Sequence, residues 1–287
     1  MADDIVRDAV CAASAEIASN TYNDLLRPTM AACGELLKLF PQSLLALATP
    51  IRQCLAKNQA TFAKFCESLN EKTEKIPPDD RVPAEPCIAV PALQALSYLS
   101  ESDEIREMFA NLLAASVNRN EKWKIHPAFV DMIKQMAPDE ARMLRYIKEQ
   151  NLPIPLVDVV FSFKDNSQNL IESNLSIFSI LPEIENRQES STMISNLLRL
   201  ALLEIPSLQR ITNDTAYAPI MESAEVKKWL NKKREDGIYE CVKKAIRLTP
   251  LGVSFCNMCL PNSEKLTFSD QNCNISITAD FAPTKWK

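Results

Sequence analysis

The sequence predicts a mainly α-helical protein: an N-terminal helical domain followed by a smaller α+β domain of winged-helix type. Three observations point there. Glycine occurs only at Gly34, Gly237 and Gly252, which suits helix interiors, because glycine loses the most backbone freedom on ordering. Apolar residues recur at helical spacing in the first half, most clearly at Ile105, Met108, Phe109, Leu112 and Leu113. Past Ala137 the pattern becomes mixed, with β-branched and aromatic runs between shorter helical segments. Apolar content of 46% over 287 residues is enough for a sizeable core. The expected divisions are 1–136, 137–261, and a tail or edge strand over 262–287.

In chain order, residues 3–19 read as an alanine-rich helix with Asp3 or Asp4 near its N-terminal dipole. Pro28, Pro41 and Pro50 cut the next stretch into short helices, since proline lacks the donor and clashes with the preceding turn. Leu55, Phe62, Phe65, Cys66 and Leu69 then share a helix face. The proline-rich "KIPPDDRVPAEPCIAVP" ends that helix and reads as an extended connector. Leu93, Leu96 and Leu99 mark the next helix. Ser102 caps the one after it, with Asp103 and Glu104 in its first turn, so the two helices make a hairpin. His126, the only histidine, stands before Pro127 and the apolar positions Val130, Ile133 and Met136. Proline favours the first helical position, which puts His126 at or near the cap, where a neutral imidazole can accept a hydrogen bond or pack on Trp123.

Pro138-Asp139-Glu140 starts a helix with Ala141, Leu144 and Ile147 inward. "NLPIPLVDVVFSF" reads as a short strand or extended segment, and Leu170 to Leu181 reads equally as strand or helix. Met193 to Ile205 predicts a helix, "SLQRITNDTAYAPI" a strand, "ESAEVKKWLNKKRED" a helix and "KKAIRLT" a strand. Thr249 caps a final helix with Pro250 in its first position. In the tail, "CNISITADF" alternates apolar and polar residues and reads as an edge strand or a free segment.

The chemistry is sparse. A formal charge of −5 argues against a protein that coats nucleic acid, and three glycines cannot build a phosphate-cradling loop. Nine cysteines without a secretory leader predict reduced, buried thiols and a cytoplasmic location. Cys256 and Cys259 have the spacing of half a zinc knuckle, but no second half exists, and both sit on the apolar side of a helix. A lone histidine with no adjacent nucleophile or carboxylate makes no dyad or triad. No catalytic residue, metal or cofactor is expected, and the protein is read as not an enzyme.

The stretches "TYNDLLRPTMAACGELL", "PCIAVPALQALSYLSESDEIREMFANLLAASVN" and "IHPAFVDMIKQMAPDEARMLRYI" resemble the bacterial abortive-infection alpha family over roughly residues 20–150. FANLLA and HPAFVDMIKQMAPDE carry most of the likeness. The resemblance implies a bacterial or phage-borne setting and a role in phage resistance, and it brings no catalytic residues with it. The LTPLG stretch at the last helix resembles winged-helix modules of bacterial regulators.

The favoured function is therefore a non-enzymatic, partner-regulated component of phage defence, cytoplasmic, with a protein partner or self-association. Trp123 and His126 are the candidate partner interface. Arg199, Lys227, Lys228, Lys232, Lys233 and Arg234 are candidate nucleic-acid contacts. Glu222, Glu225, Glu235 and Asp236 balance the lysine cluster, so such contact is expected to be weak. The alternatives are a winged-helix DNA-binding regulator and a membrane-active effector. "LFPQSLLALATPI", residues 39–51, carries no charge but falls short of the roughly 20 residues a span needs, so membrane entry is expected only on activation.

Overall fold

A computed structural model describes residues 59–96, 102–206 and 210–260. They belong to two compact units, Met1–Lys134 and Gln135–Lys287. The helices read into residues 3–58, the apolar stretch 39–51, Leu99 and the tail lie outside the described residues.

The first unit has four described helices: α1 Gln59–Glu74, α2 Pro86–Leu96, α3 Asp103–Ser116 and α4 Ala128–Lys134. Helix α3 packs against the other three, and its stripe Ile105, Met108, Phe109, Leu112 and Leu113 is buried throughout. Ser102 caps it as expected, its side chain accepting from Ile105 N at 3.4 Å. Phe65, Cys66 and Leu69 of α1 and Ala89, Ala92 and Ala95 of α2 fill the space around it. The connector is shorter than expected, because α2 begins at Pro86 and carries Pro91 inside. Glu85 O accepts from both Ile88 N and Ala89 N and so starts the helix, while proline suits the position that needs no donor. Cys66 is disulfide-bonded, unlike the reduced thiol expected there.

The second unit holds α5 Pro138–Gln150, β1 Ile154–Phe163, β2 Gln168–Ser176, α6 Ser190–Arg199 and β3 Leu203–Glu204. These lead into α7 Ala218–Met221, α8 Ala224–Leu230, β4 Gly237–Leu248 and α9 Pro250–Cys259. The four strands form an antiparallel sheet in the order β2-β1-β4-β3. The expected fold class is therefore wrong: the chain is α+β, not mainly α. A ten-residue and a nine-residue strand stand where a short segment and an undecided stretch were expected. β1 is buried on both faces, so it reads as an apolar run without strand alternation. The winged-helix expectation rested on a helix, helix, strand, strand order, whereas α5 and α6 are separated by the β1–β2 hairpin. Nor is "SLQRITNDTAYAPI" a strand. Its described part contains the 3-10 turn Asp214–Tyr217 and leads into α7, because Asn213 caps the turn, its side chain accepting from Thr215 N at 3.0 Å.

One sheet face packs Val157, Val159, Leu175 and Ala245 against Ile211, Tyr217, Ile220 and Val226. The buried Tyr217 hydroxyl accepts from Ile211 N and donates to Lys244 O, both at 2.9 Å, so the ring is locked to β4. On the opposite face Leu156 and Ile246 are buried, while Leu170, Ile238 and Val242 farther along are exposed.

Candidate partner and nucleic-acid surfaces

Between α3 and α4 the 3-10 turn Lys122–Lys124 presents Trp123, 75% exposed, the most exposed large apolar side chain among the described residues. The turn is fixed by backbone bonds from Lys122 N to Asn118 O and from Lys124 N to Glu121 O. Trp123 Nε1 donates to Asn120 O at 3.0 Å, and the Lys124 ammonium lies 5.4 Å from the ring centre. The indole is thus oriented locally and left wet. His126 is exposed beside it. Its Nδ1 accepts from Ala128 N at 3.1 Å and its carbonyl accepts from Phe129 N, which places the ring proton on Nε2. The ring meets Phe129, centroids 6.2 Å apart.

The lysine cluster lies on α8 and the loop after it. Lys228 pairs with Glu172 of β2 at 3.1 Å, and the same carboxylate accepts from Trp229 Nε1 at 2.6 Å. Lys232 sits 3.7 Å over the Trp229 ring. Arg234 binds Asp236 through two nitrogens and stacks 4.5 Å from the Phe161 ring. Lys227 and Lys233 have no ion-pair partner among the described residues. Arg199 is on α6, where its guanidinium donates to Asn196 Oδ1 and to Gln135 Oε1. It shares no bond with the lysine cluster, so the structure does not bring the six basic residues into one site.

Two buried carboxylates went unnoticed as a site in the sequence. Asp139 Oδ1 accepts from Glu185 N and Arg142 Nη1, and Oδ2 accepts from Asn186 N and Nδ2. Burial opposes its charge, but these donors outweigh burial and hold the carboxyl below its ordinary range. Glu140 Oε2 accepts from Ala137 N at 2.7 Å and Oε1 from Asn196 Nδ2 at 2.8 Å. There burial wins and pushes the carboxyl up, despite the Ala137 and Asn196 bonds. Pro138-Asp139-Glu140 signals a helix start; a partner some 46 residues on leaves no local trace.

Cys256 and Cys259 are fully buried on α9. Burial raises the Cys256 thiol to about 12 and holds the Cys259 thiol well above its ordinary value, and Lys148, donating to Cys256 O, offsets this only partly. Such thiols are poor metal ligands and poor nucleophiles. Among the described residues, no group of three metal-ligating side chains occurs, and no helix is long and apolar enough to cross a membrane.

A family model described as abortive infection alpha matches residues 57–259, well over half the chain. The chain belongs to the abortive infection alpha family. The match takes in the sheet of the second unit as well as α1 to α4, further along the chain than the resemblance over 20–150. This abortive infection alpha protein matches no curated protein and no solved structure.

Proposed function

We propose that the protein acts in abortive infection by binding a protein partner rather than by catalysis, and that the partner docks on the Trp123 turn. Family membership supports the setting. The observation that carries the docking is Trp123 itself: a large apolar ring at 75% exposure, held by its own turn and flanked by Arg119, Lys122 and Lys124. Tryptophan in such a position is the residue type that dominates protein interfaces once buried. The basic flanks match a partner pocket that is apolar inside and carboxylate-rimmed. His126 holds the turn to α4.

Binding without catalysis is supported by how the polar groups are employed. His126 caps a helix, Asp139 clamps a loop, Glu140 closes a helix start and the buried thiols of α9 are held protonated.

The experiment is phage challenge of sensitive bacteria expressing the full chain, counting phage released per infected cell. The expected result is a reduced burst with wild type, restored to the empty-vector level by Trp123→Ala, whose melting temperature stays unchanged because an exposed side chain is lost. Full protection by Trp123→Ala would remove the turn from the mechanism. No protection by wild type against any phage tried would remove the defence reading.

A further inference from the structure

Resting on the docking role given to Trp123, we infer that its partner is a second copy of this chain, which receives the indole in an open cleft at the end of its sheet. The turn carries mostly one sign of charge. From Arg119 to Lys124 three cations stand against one carboxylate, Glu121. Lys122 has no ion-pair partner among the described residues, and Trp123 is 75% exposed beside it. The fitting site has an apolar floor and carboxylates at its rim.

This chain carries such a site. An open cleft of about 510 Å³ lies where β1 turns into β2 and β4 begins, its lining including Phe163, Gln168, Glu235, Ile238 and Glu240. Cross-strand register sets Ile238 and Gln168 beside Ser162, and Glu240 and Leu170 beside Val160. Ile238 and Leu170, each 61% exposed, are thus apolar spots set among polar groups rather than a continuous apolar face. Glu240 is held in place. Ser162 Oγ donates to its Oε2 at 2.7 Å and accepts from Gln168 Nε2 at 3.0 Å. Glu240 Oε1 and the Glu235 carboxylate have no donor among the described residues.

The cations at the cleft are already engaged. Arg234 binds Asp236 through two nitrogens, and Lys164 acts on the same carboxylate. Over residues 164–168 and 234–240, four carboxylates outnumber two cations, the reverse of the turn. Docked together, the indole covers Ile238 while Lys122 reaches Glu235 and Glu240. One aromatic side chain buries about 150–250 Å², so the contact is small and reversible. It joins two different surfaces, and each pair of copies therefore keeps one turn and one cleft unused.

Light scattering of the purified full chain over a dilution series tests this. The average mass is expected to climb above the single-chain value as concentration rises to about 100 µM, the range of a weak contact. Trp123→Ala spoils the turn and Ile238→Lys the cleft, and each alone is expected to hold the single-chain mass. Mixed in equal amounts they are expected to reach twice that mass and stop, because one intact turn meets one intact cleft. Both side chains are exposed, so melting should not change; where Ile238→Lys lowers it, Glu235→Lys on the loop before β4 takes its place. Wild type that keeps the single-chain mass throughout overturns the inference. So does a mixture that fails to pair, or assembly that survives Trp123→Ala. If Trp123→Ala restores the phage burst while purified wild type stays single, the partner is another protein and only the second copy is excluded. If the mixture pairs but Trp123→Ala protects fully, the contact between copies stands and its part in defence falls.

Discussion

Asp139 shows how a single side chain ties distant segments together. Its carboxylate holds two backbone N–H groups, an amide and the Arg142 guanidinium at the turn containing Glu185 and Asn186. Asp139→Asn keeps the shape but loses the charge and turns an acceptor into a donor. It is expected to cost about 3 kcal/mol at neutral pH, the scale for hydrogen bonds to a buried charged group. The native pKa is lowered, so this stability is present above the ordinary value near 4 and is lost as pH falls through the lowered native pKa. Denaturant titrations of both proteins from pH 7 to pH 3 should show a constant gap that begins to narrow only below the ordinary value near 4. Ala201 is a second informative residue. It ends α6 at φ 56°, with Leu202 N bonded to Leu197 O and Ala201 N to Leu198 O, the closing pattern usually built on glycine. In a chain with three glycines, alanine carries that strain. Ala201→Gly is expected to stabilise by about 1 kcal/mol, read as raised melting temperature, since left-handed backbone costs a β-carbon about that much.

Helices with a single buried stripe were the elements best legible in the sequence. Ile105 to Leu113 gave α3 and its core face, and Thr249 with Pro250 gave the start of α9, where Gly252 N donates to Thr249 Oγ1 at 2.8 Å. The sheet was not legible. β1 is wrapped on both faces, and β4 interleaves Glu240, Lys243 and Lys244 with apolar positions, because Lys244 is paired with Asp158 and Lys243 with Asp214. Those partners lie 86 and 29 residues away, outside any window. The Trp123 surface was legible as residue types, and its exposure needed the turn. The glycine of LTPLG is explained only by packing. A β-carbon at Gly252 would stand 2.0 Å from Leu202 O, which β3 and the Thr249 N bond hold in place. Gly252→Ala is expected to destabilise by about 1–3 kcal/mol, the usual range for overpacking. Unchanged denaturant midpoint would show that α9 can shift away from β3.

For the molecule as a whole, the distribution of charge decides between partners. A net charge of −5 repels nucleic acid at long range, and within the basic cluster Lys228 and Arg234 are already paired. Replacing Lys227, Lys228, Lys232, Lys233 and Arg234 by alanine is therefore expected to leave phage protection intact, with duplex binding weak at physiological salt before and after. Loss of protection together with loss of salt-dependent duplex binding would instead favour a nucleic-acid target. The most direct measurement places a photo-crosslinking amino acid at Lys122, next to the intact indole, in the full chain within infected cells. The account predicts a discrete protein adduct that disappears, along with protection, when Trp123→Ala is added. Protection without any adduct, or an adduct unchanged by Trp123→Ala, would contradict it.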